Sequence, residues 1–493
     1  MDRVLNRRYV LGAAICLCAG AVLGGVLTGR LVWQIIVPIV LAAVGILLLC
    51  FKRKFLFFAV FSVALGVAIL SADCAVGQAN YREGYYLFEG RVWEVTDGYV
   101  TFDEAHLDGE KTGGRVRGRR SDFSTAYEGD VVSVFVKIEP IEVDFFARYS
   151  SGLFNDRVYN EITPYGEYAV VGRKRTITEK IRDRIAGPLY RYCDDGDAGI
   201  AESLLFGDKS NLAETDEELI EGIGMSHVFA VSGLHVGFLT AVFVFLLRKL
   251  RVNRYAQIGL TAAVLLLYGF LTGFPAGLKR AAIMALLYLA APVVRGKPDA
   301  LTALGAACYL IALTNPREVF DLGFLMSVSA VCGILLFCTP ISKALRKVIR
   351  PRALVRVCDG VALTISANLL LLPVLTDVFG RVAPYAPLAN VLLLPLVTVS
   401  YVYIAVVALL TAIIPSSGIL FCVVKYPFGA IRGISDLLYS LPYSTVSVGA
   451  IGAFWVLYLF GLLFLSKLNK LPYRAKIPLS AICILASAVG FFV

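Results

Sequence analysis

The chain has 493 residues, 58% of them hydrophobic, and a formal net charge of +10. Apolar runs of about 18 residues or more recur along it, each long enough to cross a bilayer as a helix, and together they exclude a soluble globular protein. The positive charge sits in short loops, such as FKRK, SKALRKVIRPRALVR and SKLNKLPYRAK, which alternate with loops poor in Lys and Arg. That is the pattern of membrane topology, so the charge balance does not argue for a nucleic-acid-binding surface.

Three spans come first, near 9–28, 32–50 and 55–72, and Arg3, Arg7 and Arg8 place the N-terminus inside. The first run ends in TGR with no small-residue cleavage site, so no signal peptide is expected to be removed. An odd number of crossings then delivers the polar stretch up to residue 178 to the outer side. LFEGRVWEV, GDVVSVFVKIEP and EYAVVG alternate like strands, with turns at DGE, TGG and EGD. They predict a small β-barrel or sandwich. Residues 81–175 hold 13 Lys/Arg against 17 Asp/Glu, a balance of −4, which does not make the positive groove of a single-strand binder. The Arg-rich GRVRGRR reads as one strand of a solvated hairpin.

In TITEKIRDRIAGPLYRY, the residues Ile177, Ile181, Ile185 and Leu189 form one apolar stripe, as in a helix lying in a membrane interface. Two short helices follow, the second with Thr215 and Glu218 spaced for a capping box. Further spans are expected near 226–247, 255–273, 277–294, 299–314, 319–338, 358–379, 386–413, 418–440, 444–465 and 476–493. The 418–440 segment is interrupted by Lys425, Pro427, Arg432 and Asp436.

HVFAVSGLHVGF, residues 227–238, carries two of the three histidines, with Ser232 and Gly233 between them. Zinc would need a third ligand, and no HExxH or CxxC occurs. A serine nucleophile would want a GxSxG elbow, whereas Ser232 stands in AVSGL. A third reading is a broken helix whose polar groups line a wetted path, since irregular backbone at membrane depth is tolerated where it borders protein or water. Histidines satisfied by helix packing are the fourth. Downstream, Thr272, Gly273 and Pro275 break the backbone before Lys279 and Arg280, and Asp321 opens another span. These ions either pair or meet an anionic substrate. Among the eleven cysteines, Cys74 and Cys193 flank the polar segment and are candidates to pair outside the membrane.

LLFGDKSNL, GMSHVFAVSGLHV, TGFPAGLKRAAIMALLYL, LTNPREVFDLGFLMSVSA and LPVLTDVFGRVAPYAPLANVLLLPLV follow in an order that resembles the ComEC-type competence proteins. Those are bacterial channels that internalise single-stranded DNA in natural transformation. The resemblance covers roughly residues 195–415, and the leading spans and an OB-fold-like outer domain fit it. Met326 stands where the family is often polar, and the β-domain is divergent and acidic. The resemblance implies a DNA path with His227, Ser232, Gly233, His235, Lys279, Arg280, Asp321 and Asn390 along it; Gly207, Asp208 and Pro395 also match. It implies four regions: 1–75 leading helices, 76–178 extracytoplasmic OB-like domain, 179–225 interfacial connector and 226–493 competence membrane domain. The family's metallo-β-lactamase-like domain is not found, and with His106 the sole remaining histidine, no nuclease metal cluster is expected. No catalytic residue, metal or cofactor is therefore assigned.

The expectation is a polytopic α-helical membrane protein of the cytoplasmic membrane that conducts single-stranded DNA. Expected partners are DNA-receptor and motor proteins of the uptake machinery, a separate nuclease, and further copies of the chain. No P-loop is present, so any ATP-driven motor is another protein. A transporter of small anions or amphiphiles, or an intramembrane hydrolase using Ser232, are the alternatives.

Overall fold

The computed structural model describes residues 9–26, 62–68, 83–141 except 97 and 113, 158–293 except 175 and 230, 299–348, 355–447 and 458. The expected spans at 32–50, 444–465 and 476–493, and Cys74, lie wholly or mainly outside these residues. The chain divides into two compact units, one of residues 10–181 and 308–322, the other of 1–9, 182–307 and 323–493.

The first unit holds helix α1 (Tyr9–Val26) and a sheet of seven strands: β1 (Gly84–Val95), β2 (Tyr99–Leu107), β3 (Glu110–Lys111), β4 (Arg115–Arg119), β5 (Asp130–Pro140), β6 (Val158–Pro164) and β7 (Ala169–Arg173). β1 pairs with β2, β2 with β4, β4 with β6, β6 with β5, and β5 back with β1, which closes a five-stranded barrel. Closure removes the sheet edges, and the β4–β6 pair alone in the ring is parallel, as in a Greek-key OB-like barrel. Phe88, Phe102 and Phe123 fill the interior, with Phe102 edge-on to the other two at 5.1 and 5.0 Å.

The Arg-rich strand is not a solvated hairpin. In β4, Arg117 is buried, bonds Glu161 at 2.9 Å and lies over the Tyr99 ring, while Arg115 stacks on Trp93 at 3.5 Å. These cations are spent on the barrel wall. In the same unit, Gly20 of α1 and Gly66 meet so closely that a Cβ on Gly20 would stand 2.2 Å from the Val63 carbonyl oxygen, the small-residue contact of packed membrane helices.

The second unit is helical: α2 (Ile177–Tyr192, shared at its start with the first unit), α3 (Asp195–Phe206), α4 (Glu214–Gly222), α5 (Ser226–Phe229), α6 (Gly233–Lys249), α7 (Arg254–Thr272), α8 (Ala276–Ala290), α9 (Ala300–Thr314, whose end lies in the first unit), α10 (Leu322–Val348), α11 (Val355–Phe379), α12 (Ala386–Ile413) and α13 (Lys425–Tyr439). Five segments among the described residues are long and apolar enough to cross a membrane: Arg254–Thr272, Leu322–Arg346, Cys358–Thr376, Ala386–Thr411 and Ser416–Tyr439. The protein is a polytopic helical membrane protein with a small barrel domain.

The largest core joins α2–α5 to α12 and α13, around Leu189, Leu204, Phe229, Leu393, Phe421 and Phe428. Of the predicted stripe on α2, Leu189 is buried and Ile185 packs on the core, but Ile177 and Ile181 are exposed. The capping box does not form: α4 starts one residue before Thr215, with Ala213 at its N-cap and no side-chain bond there. The interrupted 418–440 segment is a 3-10 stretch, Pro415–Val424, running into α13.

Candidate functional site: a broken helix against the middle of α12

The predicted span at 226–247 is two helices. α5 ends at Phe229, Ser232 is extended with φ −104° and ψ 164°, and α6 begins at Gly233. Three glycines make room for this crossing. Gly207 ends α3 at φ +77°, where a Cβ would lie 2.8 Å from the Val231 side chain, so both backbone and space demand glycine. A Cβ on Gly277 would be 3.3 Å from the Val231 carbonyl oxygen, and one on Gly233 would be 3.0 Å from Arg280 Nη2. The Ser-Gly step thus lies under the turn between α7 and α8.

Within the break, His235 turns back on the helix start. Its Nδ1 accepts the Ser232 backbone N–H at 3.2 Å and stands 3.2 Å from Ser232 Oγ. A neutral imidazole that accepts on Nδ1 carries its proton on Nε2. That Nε2 is buried and makes no hydrogen bond among the described residues. The ring tilts over Tyr401 of α12 with centroids 4.4 Å apart. Tyr268 of α7 lies close to Tyr401, and its hydroxyl donates to the Leu205 carbonyl at 3.0 Å. A ring contact thus ties α6 to α12, and a hydrogen bond ties α7 to α3.

Its level along α12 is informative. At about 1.5 Å rise per residue, Tyr401 is about 22 Å from the start of α12 and about 18 Å from its end. The break thus meets the middle of a helix with no charged residue over its 28 positions. α6 and α8 have 17 and 15 residues, about 25 and 22 Å, too short to cross ~30 Å of hydrocarbon alone.

The other predicted residues divide. His227 at the start of α5 is exposed, and its ring faces the Gly224 carbonyl. Arg280 is buried and Lys279 half-buried at the start of α8. Asn390 is buried, but along α12 it is about 16 Å from Tyr401. It shares a face, one turn on, with Ala386, which abuts Gly224. Asp321 belongs to the other unit, between a 3-10 turn (Pro316–Phe320) and α10.

Residues 204–471 match the competence protein family, more than half of the sequence. The chain belongs to the competence protein family. It is similar to ComE operon protein 3 of Bacillus subtilis (strain 168), 32% identical over 138 residues, covering 28% of this chain and 18% of that relative. The chain thus matches less than a fifth of that relative's length. No solved structure matches the chain.

This competence-family chain holds a second polar centre that sequence reasoning missed. Arg432 of α13 grips Asp216 of α4 through Nε and Nη2, each at 2.9 Å, and also bonds Asp197 of α3. Both carboxylates are buried. The signal was visible, since Arg432 interrupts an apolar run, but its partners lie far away in sequence. Nearby, Arg182 ties α2 to Asp208 at 2.5 Å. Burial opposes ionisation of Asp208, yet Ser210 and Arg182 outweigh it and hold the carboxyl below its usual range.

Exposed charge also reaches the middle of α12. Tyr403 donates to the Leu420 carbonyl at 2.7 Å, and Cys193 contacts the Phe421 carbonyl at 3.5 Å. Asp194 and Asp195, next to Cys193, are exposed. Where α12 crosses a bilayer, carboxylates at this level need water beside them.

Proposed function

We propose that this protein carries single-stranded DNA across the cytoplasmic membrane during natural transformation. The observation that carries the reading is the helix break opposite the middle of α12, where His235 and Arg280 gather beside non-helical backbone. Family membership and the likeness to a ComE operon protein support it. Polar groups at membrane depth serve a path or a bundle interior, and an arginine suits passing phosphates. With His235 and Arg280 both buried, this conformation is the closed one; conduction parts α8 from the break, moving the Arg280 guanidinium off Gly233. The N-terminus lies in the cytoplasm and the barrel outside. DNA-receptor and motor proteins deliver and drive the strand, a separate nuclease degrades its complement, and copies of the chain associate. In this reading Asn390, buried on α12, belongs to the path, and Asp321 carries a further charge for it.

The test is uptake of labelled DNA by His235→Ala and Arg280→Ala in a transformable host. Both variants insert at normal abundance and lose most uptake; normal transformation by both would reject the path.

The 3.2 Å separation of Ser232 Oγ and His235 Nδ1 also suits a hydrolytic dyad. That nitrogen has one lone pair, however, and the Ser232 backbone N–H occupies it. A base so occupied cannot take the hydroxyl proton, and the arrangement serves as a helix cap.

A further inference from the structure

The corner between α2 and α3 meets the 3-10 stretch Pro415–Val424 through two cysteines. Cys193 donates its thiol to the Phe421 carbonyl at 3.5 Å, and Cys422 donates to the Tyr192 carbonyl at 3.1 Å. Each thiol therefore reaches the residue just before the other. The backbones are in close packing here, since a Cβ on Gly418 would lie 2.8 Å from the Tyr192 ring. Cys422 is exposed and Cys193 half-buried. Cys74, the partner expected from sequence, lies outside the described residues.

We propose that Cys193 and Cys422 are a dithiol that closes into a disulfide, clasping the α2–α3 corner to the 3-10 stretch. The exposed Cys422 is the entry thiol. Its thiolate attacks one sulfur of a donor disulfide, protein-borne or small, forming a mixed disulfide and releasing one donor thiolate. Cys193 then gives its proton to water and attacks the Cys422 sulfur, expelling the second donor thiolate. Two protein thiols are oxidised and one donor disulfide is reduced to two thiols. Cys422 lies in the apolar Ser416–Tyr439 segment, but the adjoining Asp194 and Asp195 are carboxylates that need water beside them, and that water admits a water-soluble donor to the corner. Burial first, then Asp197, Cys422 and Asp194, push the Cys193 thiol up to about 11. Its thiolate is scarce at neutral pH, so the second step is the slow one and speeds up with rising pH.

The experiment uses the full-length protein in its native membranes, treated with 2,2′-dithiodipyridine, then alkylated, unfolded and digested for peptide mass mapping. The expected result is a linked peptide pair containing Cys193 and Cys422, abolished by reductant, with at least a tenfold loss of alkylated Cys193. Closure is faster at pH 9 than at pH 7. Cys193→Ser and Cys422→Ser each remove the linked pair, and in Cys193→Ser the pyridyl adduct stays on Cys422. Because the wild-type map decides by itself, a variant that fails to insert does not leave the matter open. Recovery of both cysteines as separate alkylated or pyridyl-capped peptides, or of Cys193 joined to Cys74, would overturn the clasp.

Discussion

The imidazole of His235 lies over the phenol of Tyr401, ring centres 4.4 Å apart, at the point where α6 begins. The contact fixes the broken helix to the middle of α12 by a ring face rather than by an ion pair. Tyr401 is almost fully buried, so truncating it leaves a cavity as well as a loose imidazole. Tyr401→Ala is expected to destabilise the detergent-solubilised protein by about 3–5 kcal/mol. Tyr401→Phe keeps the ring and its contact with His235, and costs less than about 1 kcal/mol. Thermal unfolding followed by tryptophan fluorescence separates the two; equal losses would mean that the hydroxyl, not the ring, holds the break.

The glycines around Val231 differ in what they tolerate. At Gly207 the positive φ and the 2.8 Å approach to Val231 act together, so Gly207→Ala costs about 1–3 kcal/mol. At Gly233 the obstacle is the end of a flexible arginine, 3.0 Å away. Gly233→Ala is therefore expected to cost less than about 1 kcal/mol. The same unfolding assay ranks them, and a Gly233→Ala as damaging as Gly207→Ala would contradict the assignment.

Removing Arg432 leaves Asp197 and Asp216 buried without their cation. Arg432→Ala is expected to lose about 3 kcal/mol, because a stranded buried charge costs more than the pair returned. Adding Asp197→Asn and Asp216→Asn to Arg432→Met restores most of it. Protease resistance of the α3–α4 region reports both; no rescue would show that the ions do more than neutralise one another.

Asp208 makes a pH-dependent link. Its carboxyl titrates below the ordinary value of 3.8, so the tie to Arg182 is whole above that value and fades as pH falls through the folded-state value. At neutral pH, Asp208→Asn releases α2 at a cost of about 1 kcal/mol, discounted for partial exposure. Proteolysis within α2 should accelerate in the variant at pH 7 and converge with wild type as pH drops below 3.8. An unchanged difference at low pH would exclude this origin.

Long uniform segments were legible in the sequence because apolar length alone determines them: 386–413 and 299–314 were placed to within a residue. The break was legible too, since Ser-Gly in an apolar run has few other uses. What escaped were relations between distant elements. Arg432 stood out as a charge, yet nothing local named Asp197 and Asp216 as its partners. Cys193 was matched by its place beside the polar domain to Cys74, which lies outside the described residues; its contact with the Phe421 carbonyl of the 3-10 stretch was not foreseen. GRVRGRR read as solvated because sequence shows the charges but not Glu161, Trp93 and Tyr99 that absorb them. The Thr215 cap failed because α4 starts one residue earlier than its spacing implied.

Photo-crosslinking to DNA caught in transit tests the path most directly. A photoreactive benzophenone residue replaces Ser232 at the break, and in a second variant Phe245, exposed on the flank of α6. During stalled uptake of radiolabelled DNA, irradiation should yield an adduct from position 232 and none from 245. Normal transformation by the Ser232 variant with no adduct there, or with equal adducts at both positions, would contradict passage through the break.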